Sequence, residues 1–185
     1  MRLGRTWAIG LCLVSLTLGG LGVVFASVVV PPVSAGGPQG TGTYTCNDAT
    51  GKISFTPAWS DSGTGKVTGQ FTFTATGCSG GSPAPTKVSG SGTIHFANGE
   101  QTCEIEAIGK AKTTLTYQPS VEPSVLKGGA AIINSGSGFS PGGRVSGSYP
   151  SHAAFGEFLG TPTGGCATGI TSATLKQSSQ ALVNY

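Results

Sequence analysis

Charge is what this chain has least of. Asp, Glu, Lys and Arg make up 9% of its 185 residues, against about a quarter in ordinary soluble domains. Beyond residue 35, seven lysines and Arg144 stand against seven carboxylates, so the net charge there is close to +1. Such a balance lacks the electrostatic footprint of a nucleic-acid binder, and no nucleic-acid partner is expected. It also lacks the polybasic segment of a protein held to anionic lipid. Solubility has to come from Ser, Thr, Asn and Gln.

The residues that carry chemistry are also few. There are two histidines, His95 and His152. No Gly-x-Ser-x-Gly elbow is present; Gly90-Ser91-Gly92 and Gly136-Ser137-Gly138 lack that spacing. The Gly-rich run Gly77-Cys78-Ser79-Gly80-Gly81 is not followed by Lys-Ser/Thr and opens no helix, so it is no phosphate loop. Asp48, Asp61 and Glu157 do not have calcium-loop spacing. No pair of cysteines has the Cys-x-x-Cys spacing of zinc sites. No catalytic residue, cofactor or metal is assigned.

There is one long apolar run, Trp7 to Val30. Arg2 and Arg5 precede it; Pro31-Pro32 and the small-residue triplet Val33-Ser34-Ala35 follow it. That is the order of a secretory signal, with cleavage expected after Ala35 and Ala26 as the other acceptable site. Cys12 lies inside the run, with Leu11 where a lipidated cysteine needs a small residue, and belongs to the discarded segment. The expected organisation is a signal over 1–35, a flexible lead-in over 36–42 and one β domain over 43–185. No stable membrane insertion is expected after cleavage.

Cys46, Cys78, Cys103 and Cys166 remain. An even cysteine count in an exported chain predicts two disulfides. Of the three connectivities, the strand order favours Cys46–Cys78 and Cys103–Cys166, each contributing roughly 3–4 kcal/mol in the loop-entropy model.

What is abundant is glycine, 32 residues without a Gly-X-Y period, and strict alternation. Val67, Gly69, Phe71, Phe73 and Ala75 take one face of a strand, while Thr68, Gln70, Thr72, Thr74 and Thr76 take the other. Gly77 breaks the parity, and Cys78 to Gly81 reads as a turn. From Lys87 to Phe96, Val88, Gly90, Gly92, Ile94 and Phe96 face in. Asn98-Gly99 is a hairpin signal, and a turn there sets Ile94 opposite Cys103, Thr93 opposite Glu104 and His95 opposite Thr102. The odd-numbered face continues through Ala107, Ala111, Thr113, Leu115 and Tyr117. Further strands are expected at Thr43–Cys46, Lys52–Thr56, Gly129–Asn134, Arg144–Tyr149 and Ile170–Gln177. Ala153 to Leu159 reads as a strand or a single helical turn. Short strands with Gly/Pro turns predict an all-β fold. The expected form is an antiparallel β-sandwich, Ig-like in general architecture, with a partly closed β-barrel as the alternative.

That register places His95 on the outer face near Glu104 and Glu106, a candidate surface site for proton transfer or weak metal binding. Trp59, between Thr56-Pro57 and Ser60, is the other candidate, as an exposed platform for a sugar or peptide.

Three segments carry a resemblance: Cys46-x4-Gly51-Lys52-Ile53-x-Phe55-x-Pro57, Thr76 to Gly81, and Cys166 to Thr174. Together they resemble a diffuse group of small exported four-cysteine β proteins of actinobacteria. The likeness covers most of the chain beyond the signal and implies no activity. Gly138-Phe139-Ser140-Pro141-Gly142 is similar to the neocarzinostatin-type carrier sandwiches, which implies a sandwich. The expected function is that of a secreted or cell-envelope, non-enzymatic protein that binds an extracellular or cell-wall ligand or plays a structural part there. The alternatives are a small extracellular hydrolase of wall polymer or peptide, and a secreted inhibitor or carrier.

Overall fold

The computed structural model describes residues 37–61, 66–96, 107–133, 138–177 and 182–185. The expected signal and both cleavage sites lie outside them. Ten strands account for most of what is described. They are β1 (Thr41–Trp59), β2 (Thr68–Ser82), β3 (Lys87–Phe96), β4 (Ala107–Gln118) and β5 (Ser124–Ile133), then β6 (Gly138–Ser146), β7 (Ser151–Ala154), β8 (Phe158–Thr163), β9 (Ile170–Gln177) and β10 (Leu182–Asn184). Among the described residues no helix is long and apolar enough to cross a membrane.

All pairings are antiparallel, and β1 through β6 follow one another across the sheet as they do along the chain. The sheet then turns back on itself. β6 pairs with β7 through Gly142–Val145 and with β8 through Gly138 and Phe139. β7 pairs with β10 and β8 with β9. Both β9 and β10 pair with β1, opposite its β2 edge. The fold is thus all-β and antiparallel, as the alternation predicts. Its halves face each other across one core, sandwich fashion, and its end strands β10 and β8 pair back onto β1 and β6.

The core is built from the inward parity. Phe71 of β2 meets Phe139 of β6, with ring centroids 5.0 Å apart. Phe73 meets Phe155 at 4.6 Å and Phe158 at 6.1 Å. These rings fit because β3 has glycine directly opposite them: Phe71 pairs with Gly92 and Phe73 with Gly90. A Cβ on Gly90 would lie 2.1 Å from the Phe73 ring. The inward glycines of β3 are therefore space for phenylalanine rings.

At one end Tyr44, Tyr117 and Tyr149 cluster, with centroids 4.9–6.0 Å apart. The Tyr117 hydroxyl donates to Ser124 Oγ (2.8 Å), which donates to the Ser148 carbonyl. The Tyr149 hydroxyl donates to the Pro83 carbonyl at 2.5 Å. Gly40 is fastened here: its N–H donates to Ser148 Oγ (3.0 Å), and its carbonyl accepts from the Tyr149 N–H (2.7 Å). The lead-in expected to be flexible is thus held in place over Gly40, and Thr41 and Gly42 already belong to β1.

Two local expectations change. Cys78 to Gly81 is strand, since β2 continues to Ser82. Gly77, at φ +62°, absorbs the parity break in a backbone region open to glycine, and the pairing with β1 persists on both sides of it. The β3–β4 register also differs. Ile94 pairs with Ala111, Thr93 with Lys112, Gly92 with Thr113 and His95 with Lys110. The expected pairs differ from these by eight residues. An even shift leaves every side chain on its expected face, so alternation cannot distinguish the two registers. The observed one matches β3 to the apolar run Ala111–Tyr117, and Leu115 and Tyr117 are buried. Residues 97–106, with Asn98-Gly99, Cys103, Glu104 and Glu106, lie outside the described residues.

The Cys46–Cys78 disulfide is present and joins two directly paired residues of β1 and β2. Cys166 is also disulfide-bonded; Cys103, its expected partner, is outside the described residues.

Candidate functional site on the outer sheet face

The alternation that fills the core also composes the outer face. On β1, Ile53 and Phe55 are buried, so Lys52 and Ser54 point outward. On β2, Gln70 and Thr72 alternate with Phe71 and Phe73. Ser91 and Thr93 of β3 and Ser172 and Thr174 of β9 occupy the same face. The ladders set Ser54 beside Ser172 and Gln70, and Gln70 beside Thr93. The curved sheet leaves a hollow of about 740 Å³ over these side chains. Its lining combines hydroxyl and amide groups and the Lys52 ammonium with atoms of Ile53, Phe71, Gly92 and Ala173. Such a surface can exchange several hydrogen bonds with a hydroxylated ligand, and it offers no proton-transfer pair. The threonine face of β2 was the sequence signal for it. Its continuation onto β1, β3 and β9 depends on strand order.

His95 is exposed, as expected. The cross-strand partners are Thr68 and Lys110, and Thr68 Oγ1 lies 3.2 Å from His95 Nδ1. The eight-residue register difference sets His95 opposite Lys110 instead of Thr102; Glu104 and Glu106, expected nearby, lie outside the described residues. His95, Lys110, Lys66 and Phe96 line a second open hollow of about 1000 Å³. Among the described residues no three His, Cys, Asp or Glu side chains are grouped to hold a metal.

Trp59 is not a surface platform. It is 3% exposed. Its indole stacks on Phe96 (6.3 Å, 1° between planes) and packs against Phe55 at 5.7 Å. Trp59 keeps the inward parity of Ile53 and Phe55, and it ends opposite buried Ile170.

His152 is exposed on β7, paired across the ladder with Arg144. Its backbone exchanges hydrogen bonds with Tyr185 (3.0 and 2.9 Å), and its ring stacks on Tyr185 at 6.2 Å. Leu159, 52% exposed, sits in β8 between Gly138 and Lys176. The segment from 159 onward is therefore ladder-bound strand as far as Thr163.

The strongest electrostatic perturbations are internal. Burial, then repulsion from Tyr117, pushes the Tyr44 phenol far above the usual tyrosine range. Burial raises Tyr117 as well. These phenols remain neutral and structural.

No family model, curated protein or solved structure matches the chain.

Proposed function

We propose that this chain is an exported, non-enzymatic protein of the cell envelope or surrounding medium that binds its ligand on the outer face of β9, β1, β2 and β3. The observation that carries the reading is the contrast between the two sides of the sheet. Aromatic rings occupy the core, whereas the outer face is hollowed and lined with Ser54, Gln70, Thr72, Ser91 and Thr93. Recognition through hydroxyl and amide groups suits binding. The cationic and hydroxyl neighbours of the two histidines favour binding over acid–base hydrolysis. The signal-like segment 1–35 and the Cys46–Cys78 disulfide support an oxidising, extracytoplasmic location.

The test is fractionation followed by retention. The protein is expected in the medium or envelope fraction, and the purified protein is expected to be retained on sedimented envelope material. Gln70→Trp fills the hollow from an exposed position and should abolish retention without altering the unfolding midpoint. Recovery in the cytosol, or retention unchanged by Gln70→Trp, overturns the proposal.

A further inference from the structure

The strand register gathers cations that the sequence scatters. Lys112 of β4 is paired directly with Lys127 of β5, Lys127 with Arg144 of β6, and Arg144 with His152 of β7. All four side chains are exposed. Their chain neighbours Thr113, Leu126, Val145 and Ala153 are buried, so the four share the outer face. Neighbouring strands lie about 4.8 Å apart. The row therefore sets basic side chains at that spacing across four successive strands. Lys110, two positions before Lys112, is on the same face and is paired with His95.

Half of the Lys and Arg residues beyond the signal, namely Lys110, Lys112, Lys127 and Arg144, belong to this patch. None of the described carboxylates stands in the row: Asp48 is on β1, Asp61 follows β1, Glu122 is in the β4–β5 connection and Glu157 precedes β8. Like charges placed directly opposite on a ladder destabilise it. The chain has few charges, yet it concentrates cations where they repel.

The other half of the same row defines the chemistry further. From Lys112 it continues through Thr93, Gln70, Ser54 and Ser172. One ladder row thus passes from hydroxyl and amide groups to cations. Tyr185, stacked on His152 at the cationic end, adds a ring face against which a sugar can pack.

Resting on the binding role proposed above, we infer that the ligand is a linear acidic polysaccharide. Its hydroxyls lie over Ser54, Gln70 and Thr93, and its anionic groups over Lys112, Lys127 and Arg144. Duplex nucleic acid fits less well. The row bends with the curved sheet, whereas a duplex is stiff over this length. A single strand needs successive aromatic platforms, and the row offers Tyr185 alone among the described residues.

The experiment uses the purified protein with polygalacturonate as probe, neutral dextran as control polymer and duplex DNA as competing polyanion, each at low and moderate salt. Polygalacturonate should bind, neutral dextran much more weakly, and added salt should weaken the complex. K112Q/K127Q should raise Kd at least about tenfold. K87Q/K176Q, with the same change in net charge away from the row, should stay within about twofold. Four results would each overturn the inference: no binding to polygalacturonate, equal weakening by both variants, neutral dextran binding equally well, or DNA binding as tightly. Envelope retention that persists while polygalacturonate fails to bind defeats this inference alone. Loss of both defeats the binding role as well.

Discussion

Gly90→Ala is the sharpest test of how the core is packed. The added Cβ would sit 2.1 Å from Cε1 and Cζ of Phe73, whereas carbon atoms pack best at about 3.5–4.0 Å. The ring must therefore move by about 1.5 Å or the strands must part. Ring movement is opposed by Phe155 at 4.6 Å and Phe158 at 6.1 Å. On the other flank Gly51 is paired with Phe73, and even a Cβ there would come within 2.9 Å of the Phe73 Cβ. An off-rotamer ring costs about 0.5–1.5 kcal/mol, and the lost ring pair about as much again. Against this, alanine restricts the unfolded chain and returns about 0.4–1 kcal/mol. The net expectation is a loss of about 1–2 kcal/mol, rising to about 4 kcal/mol if the ring is expelled.

Urea denaturation of the oxidised protein reads this as a lower midpoint at unchanged slope. Gly129→Ala is the matched control. Its Cβ would meet only the Gly109 carbonyl, at 3.7 Å, so stability should hold or rise slightly. Phe73→Leu in the Gly90→Ala background should restore part of the loss, because the pair is in contact and couples. A Gly90→Ala protein within about 0.5 kcal/mol of the parent, or strictly additive single and double variants, would refute the glycine-for-ring account.

Replacing Cys46 and Cys78 by serine opens a link spanning 32 residues and should lower stability by about 3–4 kcal/mol, read as a fall in the denaturation midpoint. The buried phenols set an alkaline limit. Tyr44 and Tyr117 have folded-state values raised above the unfolded one, so their contribution is complete below about pH 10 and is lost as pH climbs above it. Phenolate absorbance should therefore lag behind that of free tyrosine and rise with unfolding; early ionisation of both phenols without loss of structure would contradict their burial. His95→Ala removes one exposed contact, to Thr68, and should change stability by no more than about 0.5 kcal/mol by chemical denaturation.

How much of this was legible depends on which pattern each feature obeys. Face assignment was readable because it has period two: Phe71, Phe73, Gly90, Gly92 and Ile94 lie on the face that alternation gives them. Ile170–Gln177 matched its observed bounds, with glycine immediately before it. Cys46–Cys78 followed from strand order. Register was not readable, because shifting β4 by eight residues preserves every face. Asn98-Gly99 is a local signal, whereas the observed pairing uses the long apolar face from Ala111 to Tyr117. Trp59 was missed because the expected strand stopped at Thr56, whereas β1 runs on to Trp59 with the inward parity of Ile53 and Phe55. The outer site was half-visible: the β2 threonines announce a polar face, but its neighbours come from β1, β3 and β9.

The cationic row was the least legible feature and leads to the most discriminating stability measurement. Lys112, Lys127, Arg144 and His152 are separated by 8 to 17 positions in the chain, and only the ladder makes them neighbours. Serine and threonine fill many other outward positions of this sheet, so a neutral replacement is structurally available. Lys127 is flanked by Lys112 on one side and Arg144 on the other. Lys127→Thr removes two directly opposed like-charge pairs, each unfavourable by about 0.2–1 kcal/mol, and supplies a residue better suited to a strand. The variant should be more stable by about 0.5–1 kcal/mol at low salt, with the gain shrinking as salt screens the repulsion. The same variant should bind polygalacturonate less well. A gain in stability coupled to a loss of binding is the expected mark of a site whose charge arrangement serves a ligand at the expense of the fold. Denaturation midpoints at two ionic strengths decide it. A Lys127→Thr protein less stable than the parent, or one whose difference ignores salt, would mean that the row does not repel and that its alignment has no bearing on binding.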